Sequence, residues 1–356
     1  MTDAANEQLL RAAAAGDLAG VEAALHGGAA VDARGQYGDT ALNAAAQGGH
    51  LEVAQRLLQA GANLENVGGA DLTPVMNAAF AGHFAVVQLL LDRGARINHD
   101  LMSSLQLKVN ILAENAEAGM VLPEAVAAWK QFLSYMVTAQ LRQHLPELVA
   151  RLSAKDREER QAALTSLKSA AYRGLDVSAA VPQLSALAGD PAANIRQIAG
   201  QALTMHTIRQ GAPGGLDPLY QRGDSEVKVG LASALVSAAE AGLDVTPNTP
   251  TLVSLLGDAA LDLRHDGAIA IGYAATHGHD VSSIVPNLIQ LLADPEPEVR
   301  RMGAWALYRV GKYLHTAAPA IPALQALAAD PDPEVREMAA EALSMAKGAP
   351  AAASAS

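Results

Sequence analysis

Hydrophobic and polar positions along this chain recur as whole blocks. Asp294-Pro-Glu-Pro-Glu-Val-Arg300-Arg-Met-Gly-Ala-Trp-Ala-Leu307 returns 36 residues later as Asp330-Pro-Asp-Pro-Glu-Val-Arg336-Glu-Met-Ala-Ala-Glu-Ala-Leu343. Self-similarity at such a period predicts stacked repeats, because each unit leaves an apolar face that only its neighbour covers. Six units run from Pro146 to Gly348, opening near Pro146, Pro182, Pro218, Pro250, Pro286 and Pro322. Each begins with a short helix such as Val181-Pro-Gln-Leu-Ser-Ala-Leu-Ala and turns at Asp156, Asp190, Asp224, Asp258, Asp294 or Asp330. A longer helix follows, with one basic residue near its start: Arg160, Arg196, Lys228, Arg264, Arg300 and Arg336. Several units close on Gly-x-Asp-Val, as at Gly174–Val177, Gly242–Val245 and Gly278–Val281.

Residues 1–98 repeat at a different period, 33: Thr40 returns as Thr73, His50 as His83, and Gly61-Ala62 as Gly94-Ala95. The series Gly16, Gly49, Gly82 and Gly28, Gly61, Gly94 mark helix ends, where glycine takes the left-handed conformation that stops a helix. Each unit reads as helix, tight turn, second helix and polar finger. Residues 99–144 leave this period. Leu101, Leu105, Val109 and Leu112 keep helical spacing, as do Val126, Trp129, Leu133 and Met136, with Pro123 suited to a first helical turn. This stretch is expected to be a degenerate pair that seals the stack and joins it to the rest; the alternative makes the Trp129 face a dock for a partner helix. Residues 145–348 then form the six later units, and the small, polar tail 349–356 is expected to be disordered.

Thr73-Pro-Val-Met-Asn-Ala-Ala-Phe-Ala-Gly-His83 and Thr40-Ala-Leu-Asn-Ala-Ala resemble ankyrin repeats, with Glu7 replacing the Thr in a capping first unit. Asn43 and Met76 stand where that family has a structural histidine. The six later units resemble HEAT repeats, particularly the short bacterial kind also found in phycobilin lyases. Their Asp-to-Arg separation is six residues in units two, four, five and six, and four in units one and three. The resemblance implies an all-α chain, a tandem ankyrin stack followed by a HEAT-type solenoid, that binds a protein partner on a concave surface without catalysis. Two alternatives accompany it: a bacterial immunity or antitoxin protein that caps a toxin, and a phycobilin-lyase-like enzyme with a bilin-sized pocket.

Composition narrows this. Half the residues are apolar but only 3% are aromatic, so small aliphatic side chains do the packing, which favours helices in close approach. A net charge of −12 argues against nucleic acid or an anionic membrane as the main partner. The chain has no cysteine, and hence no thiol chemistry. It has neither a signal-peptide pattern nor an apolar run of the length a membrane span needs, about 18 residues. A cytoplasmic, monomeric protein without a cofactor is expected. The dipeptides His99-Asp100, His265-Asp266 and His279-Asp280 are scattered along the stack, and Gly211-Ala-Pro-Gly-Gly215 lacks the Lys-Ser/Thr of a phosphate loop.

The repeated Asp/Arg pairs read as structural: an Arg fork can bond the carboxylate of its own or the neighbouring turn. On the first of these readings, loss of Arg300 would strand Asp294. One constellation breaks the repeat. Trp305 occupies the position of Gln201, Ser233 and Glu341, and Tyr308 that of Thr204, Val236, Gly272 and Ser344. Those positions are mostly small or polar elsewhere and are expected to face solvent. Arg301, Arg309 and Lys312 share the helix, and Tyr273 aligns with Arg309 one unit earlier. Trp, Tyr and Arg are the residues enriched at interface hot spots, so these are the candidate contact residues. The alternative is that Trp305 fills space against the neighbouring unit. Tyr37, Gln47, Asn77 and Phe80 are the matching candidates in the first part, on the finger or inner-helix positions that ankyrin proteins use.

Overall fold

The computed structural model describes residues 2–348 apart from Ala70, Gly119 and Ala212; the tail expected to be disordered, 349–356, lies outside the described residues. Among the described residues the chain is all-α, with one isolated backbone bridge between Arg34 and Thr40 and no strand. It divides into two compact units, Met1–His144 and Leu145–Ser356.

In the first unit, antiparallel helix pairs are joined by tight turns: α1 (Thr2–Ala15) with α2 (Leu18–His26), α3 (Ala41–Gly48) with α4 (Leu51–Gln59), and α5 (Pro74–Ala81) with α6 (Phe84–Asp92). Leu9, Leu42, Leu57 and Leu90 are fully buried between them. The turn glycines Gly16 and Gly49 have φ of +71° and +73°, and a side chain on either would meet the ring of His50 or His83 from the next repeat. Those rings reach back to the preceding turn, His50 Nε2 to the Ala14 carbonyl at 3.1 Å and His83 Nε2 to that of Gln47 at 3.0 Å. The fingers are tied in the same neighbour-to-neighbour way: Asp32 accepts from the Asn63 N–H and Glu65 from the Arg96 N–H.

Asn43 does the work of the absent histidine. Its side-chain oxygen accepts from the Thr40 N–H and hydroxyl, and its amide donates to the carbonyls of Asn66 (3.2 Å) and Leu72 (3.1 Å) in the next finger. Met76 cannot do this, and the buried Thr73 hydroxyl accordingly has no hydrogen-bond partner.

α7 (His99–Glu117) and α8 (Pro123–Arg151) follow. Leu101, Leu105, Val109, Val126 and Met136 are buried as their spacing implies, and Leu112 and Leu133 are half-buried. The Trp129 face is not free for a partner helix. Phe132 stacks on Phe84 at 4.1 Å, Trp129 meets Phe84 edge-on at 5.3 Å, and the indole lies over Gly82 where earlier repeats put histidine. The Lys108 ammonium sits 4.0 Å from the Trp129 ring centre and donates to the Phe80 carbonyl. Gln143 closes the last finger, accepting from the Ile97 N–H and donating to the Ala95 carbonyl.

In the second unit, long helices alternate with short ones. The long set is α9 (Arg157–Tyr172), α11 (Ala193–Gln210), α13 (Ser225–Glu240), α15 (Leu261–Thr276), α17 (Pro297–Tyr313) and α19 (Pro333–Gly348). The short set is α10 (Val181–Leu187), α12 (Asp217–Arg222), α14 (Thr249–Leu256), α16 (Val285–Leu291) and α18 (Ile321–Ala326), each with a proline in its first turn, where no N–H is required. Pro146 differs, lying inside α8 rather than opening a helix of its own. Successive long helices pack closely on alanine and glycine; a side-chain carbon at Gly230 would collide with the Gln197 carbonyl.

The ladder runs between repeats. Arg300 donates through Nε and Nη2 to the Asp330 carboxylate at 2.7 and 2.9 Å, and through Nη1 to the carbonyls of Asp294 and Pro295. Arg264 treats Asp294 identically, at 2.7 and 3.0 Å, and holds the carbonyls of Asp258 and Ala259. The carboxylate stranded by losing Arg300 is therefore that of Asp330, because Arg300 takes only backbone oxygens from its own turn. The Asp carboxylates also accept the N–H two residues on, at 3.0 Å for Asp294 and 2.9 Å for Asp330. Unit three carries Lys228, which has no fork. Tyr220 supplies the second donor, its hydroxyl 2.5 Å and the Lys228 ammonium 3.1 Å from Asp258.

Arg300→Ala should lower the midpoint of urea unfolding, by an amount equivalent to about 1–3 kcal/mol near neutral pH, since it leaves a buried carboxylate without its cation and removes the donor to two carbonyls. Arg300 holds the Asp330 carboxyl below its ordinary value. That contribution is complete above the unfolded value, about 4, and is lost as pH falls through the folded one. Parent and variant should therefore converge toward about pH 3, and an undiminished gap there would contradict the assignment. In the first unit, Asn43→Ala should cost about 2 kcal/mol, because the side chain is buried and unites two fingers. Thermal unfolding within about 1 °C of the parent would show the finger bond to be dispensable.

Candidate functional site

α17 is buried along Val299, Met302, Ala306, Leu307 and Val310, which leaves a solvent-side row at spacings of three and four. Trp305, Tyr308 and Arg309 on this row are half-buried, while Lys312 and Tyr313 are exposed. The indole rests on α15 directly over Gly272, where a side-chain carbon would collide with it. Tyr273 meets it edge-on, with ring centres 5.6 Å apart. The Arg309 guanidinium lies 4.9 Å from the Trp305 ring centre and 5.9 Å from that of Tyr313. The Lys312 ammonium is 5.5 Å from the Tyr308 ring and 5.2 Å from the Tyr313 ring, and donates to the Tyr308 hydroxyl at 3.4 Å.

The structure thus brings Trp305, Tyr308, Arg309, Lys312 and Tyr273 together and adds Tyr313, which sequence reasoning missed although it falls four residues after Arg309. Arg301 does not join them. It pairs with Glu298 at 2.5 Å and Glu334 at 3.6 Å, and lines a separate cleft of about 310 Å³ with Glu337, Met338 and Glu341. At the same end of α15, His265 lies between Asp266 (3.2 Å) and Glu298 (3.5 Å), and those carboxylates, Asp266 first, hold its imidazole above the ordinary histidine value.

The expected solvent exposure of the Trp305 and Tyr308 positions needs correction. Thr204 and Gly272, in the Tyr308 position, are buried, because the next long helix packs over that side of the row. Trp305 consequently has one edge against the neighbouring repeat and one toward solvent, and Tyr308 is half-buried. In the first unit, Tyr37 is 78% exposed on its finger and Gln47 is exposed, while Asn77 and Phe80 are half-buried. No ring or ion contact gathers these four.

Other polar groups are committed elsewhere. His277 Nε2 lies 3.1 Å from the Glu240 carbonyl and His279 Nε2 3.2 Å from that of Gly242. Among the described residues no three His, Asp or Glu side chains converge as metal ligands, and no helix is long and apolar enough to cross a membrane. A cleft of about 420 Å³ beside α12 is lined by Leu203, Pro218, Leu219, Val227 and one charged residue, Arg222.

Residues 9–100 match the ankyrin-repeat family model in three copies, and residues 249–344 match that of HEAT repeats. The chain joins ankyrin repeats to HEAT repeats. The HEAT match begins after the last unit with an Asp-to-basic separation of four, and it contains the whole α15–α17 cluster. Solved structures similar to the chain include an engineered protein, 22% identical, covering 57% of this chain and 96% of its own, with a TM-score of 0.43. Another is a computationally designed armadillo repeat protein for modular peptide recognition, 22% identical, covering 56% and 99%, with a TM-score of 0.42. No curated protein matches the chain.

The seating of the indole in the HEAT repeats can be measured. Trp305→Ala should cost about 1–3 kcal/mol through the void left over Gly272. Adding Gly272→Ala should recover about 1 kcal/mol, since the methyl fills part of the void and alanine suits a helix better than glycine. A double variant no more stable than Trp305→Ala would mean that the indole does not rest on Gly272.

Proposed function

We propose that the chain is a non-enzymatic protein-interaction scaffold whose main contact is the α15–α17 cluster of the HEAT repeats. Ankyrin and HEAT repeats are interaction modules that present long faces rather than closed pockets. The observation that carries the reading is the concentration at one place of Trp305, Tyr308, Tyr273 and Tyr313, in a chain with only 3% aromatics. Rings half-seated on a rigid helix pair lose little freedom on binding and offer large apolar area, which is the make-up of an interface anchor. Binding also suits the reactive groups, since the ladder arginines and the turn histidines already serve the stack.

A photo-reactive phenylalanine analogue placed at Tyr308 and activated in cells tests this. It should yield a discrete protein adduct that disappears when Trp305→Ala is added. The same probe at Gln325, exposed on the short helix α18, should yield none. Equal adducts at both positions, or an adduct at Tyr308 that ignores Trp305, would contradict the assignment.

A further inference from the structure

The charges in the cluster point to the chemistry of what binds there. Most basic side chains of the second unit have acceptors: Arg160, Arg196, Lys228, Arg264 and Arg300 hold carboxylates of the next turn, and Arg301 holds Glu298 and Glu334. Others, such as Arg209 and Arg336, donate to backbone carbonyls, whereas Arg309 and Lys312 lie together against aromatic rings. Among the described residues neither pairs with a carboxylate, although the chain carries 37 acidic residues against 25 basic ones. Both are held against aromatic rings instead, and the Arg309 Nε is buried without a hydrogen-bond partner. A ring face orients a cation without neutralising it. The result is two pre-positioned, unneutralised charges, one turn apart and walled by Trp305, Tyr308 and Tyr313.

We infer that this end of α17 receives an acidic segment of the partner protein, with a carboxylate on Arg309 and Lys312 and an apolar side chain on the indole. The inference rests on the scaffold reading above and narrows it. A carboxylate there gains charge-assisted hydrogen bonds from two cations whose charge the fold does not neutralise; within the fold Lys312 donates only to the Tyr308 hydroxyl. A basic segment would have to bring its cations beside two others. The acidic border formed by Glu334, Glu337 and Glu341 limits the acceptor zone to the C-terminal half of the helix.

Selection of random peptides displayed on phage, using the full chain as bait and the Trp305→Ala/Tyr308→Ala chain for counter-selection, tests both levels. Peptides rich in Asp and Glu that depend on the two rings are the expected result. Ring-dependent peptides that are neutral or basic would overturn the acidic inference and leave the site standing. Absence of any ring-dependent peptide would overturn both. For a selected acidic peptide, Lys312→Glu should weaken binding roughly tenfold, and Arg309→Glu with Lys312→Glu further still. Lys312 is exposed, so the single variant should melt with the parent; unchanged affinity in it would remove the lysine from the site. Raising salt from about 0.05 to 0.5 M should weaken the complex, because the Debye length shrinks severalfold, and salt-independent binding would oppose the inference.

Discussion

The second unit depends on an arginine that serves two turns at once. One edge of each guanidinium closes the carbonyls of its own Asp turn, and the other clasps the carboxylate of the next, as Arg264 and Arg300 do. A planar fork can satisfy both directions without a change of rotamer, which an ammonium cannot. The carboxylates of Asp294 and Asp330 are themselves fixed by the backbone N–H two residues on, so these joints are closed circuits of donors and acceptors, with little exposed charge to be screened. Registry between repeats is thereby set one neighbour at a time, as expected of a quasi-one-dimensional stack. Where Lys228 replaces arginine, the second donor to the next carboxylate comes from Tyr220.

The first unit solves the same problem with different groups. His50 and His83 reach across to the preceding turn, and Asn43 links its own helix start to the next finger. Both stacks end helices on left-handed glycines and cover some of those glycines from the following repeat. His50 covers Gly16, Trp129 covers Gly82, Arg209 covers Gly174 and His277 covers Gly242. The chemistry of the cover varies because the requirement is mostly geometric, a flat group over a backbone that carries no side chain.

This variation also explains what the sequence did and did not make legible. The two periods, the proline-opened short helices and the Asp/Arg recurrence are local in sequence and could be read directly. The direction of each ladder bond could not, because an Asp six residues before an Arg and one thirty residues after it look equivalent until the stack is built. Trp129 has helical spacing like any amphipathic residue, and only the arrival of Gly82 and Phe84 beneath it shows which face is covered. Trp305 was conspicuous as a substitution within the repeat, but its half-buried state follows from Gly272, a residue in another repeat. Tyr313 was overlooked because its link to the site runs through Arg309 and Lys312 rather than through an anomaly of its own.

A saturated ladder changes the meaning of the cations outside it. In a chain of net charge −12, an arginine or lysine could readily find a carboxylate, and the ladder residues Arg160, Arg196, Lys228, Arg264 and Arg300 do. Arg309 and Lys312 instead lie against rings that order them and leave their charge intact. Holding like charges in proximity disfavours the free protein slightly, and nothing in the ladder requires it. The arrangement leaves these two charges at the solvent side of the helix, clear of the ladder's own bonds. The ladder arginine Arg300 and the Arg309–Lys312 pair lie on different parts of the same helix, so residues at its solvent side can vary while the joints between repeats stay constant.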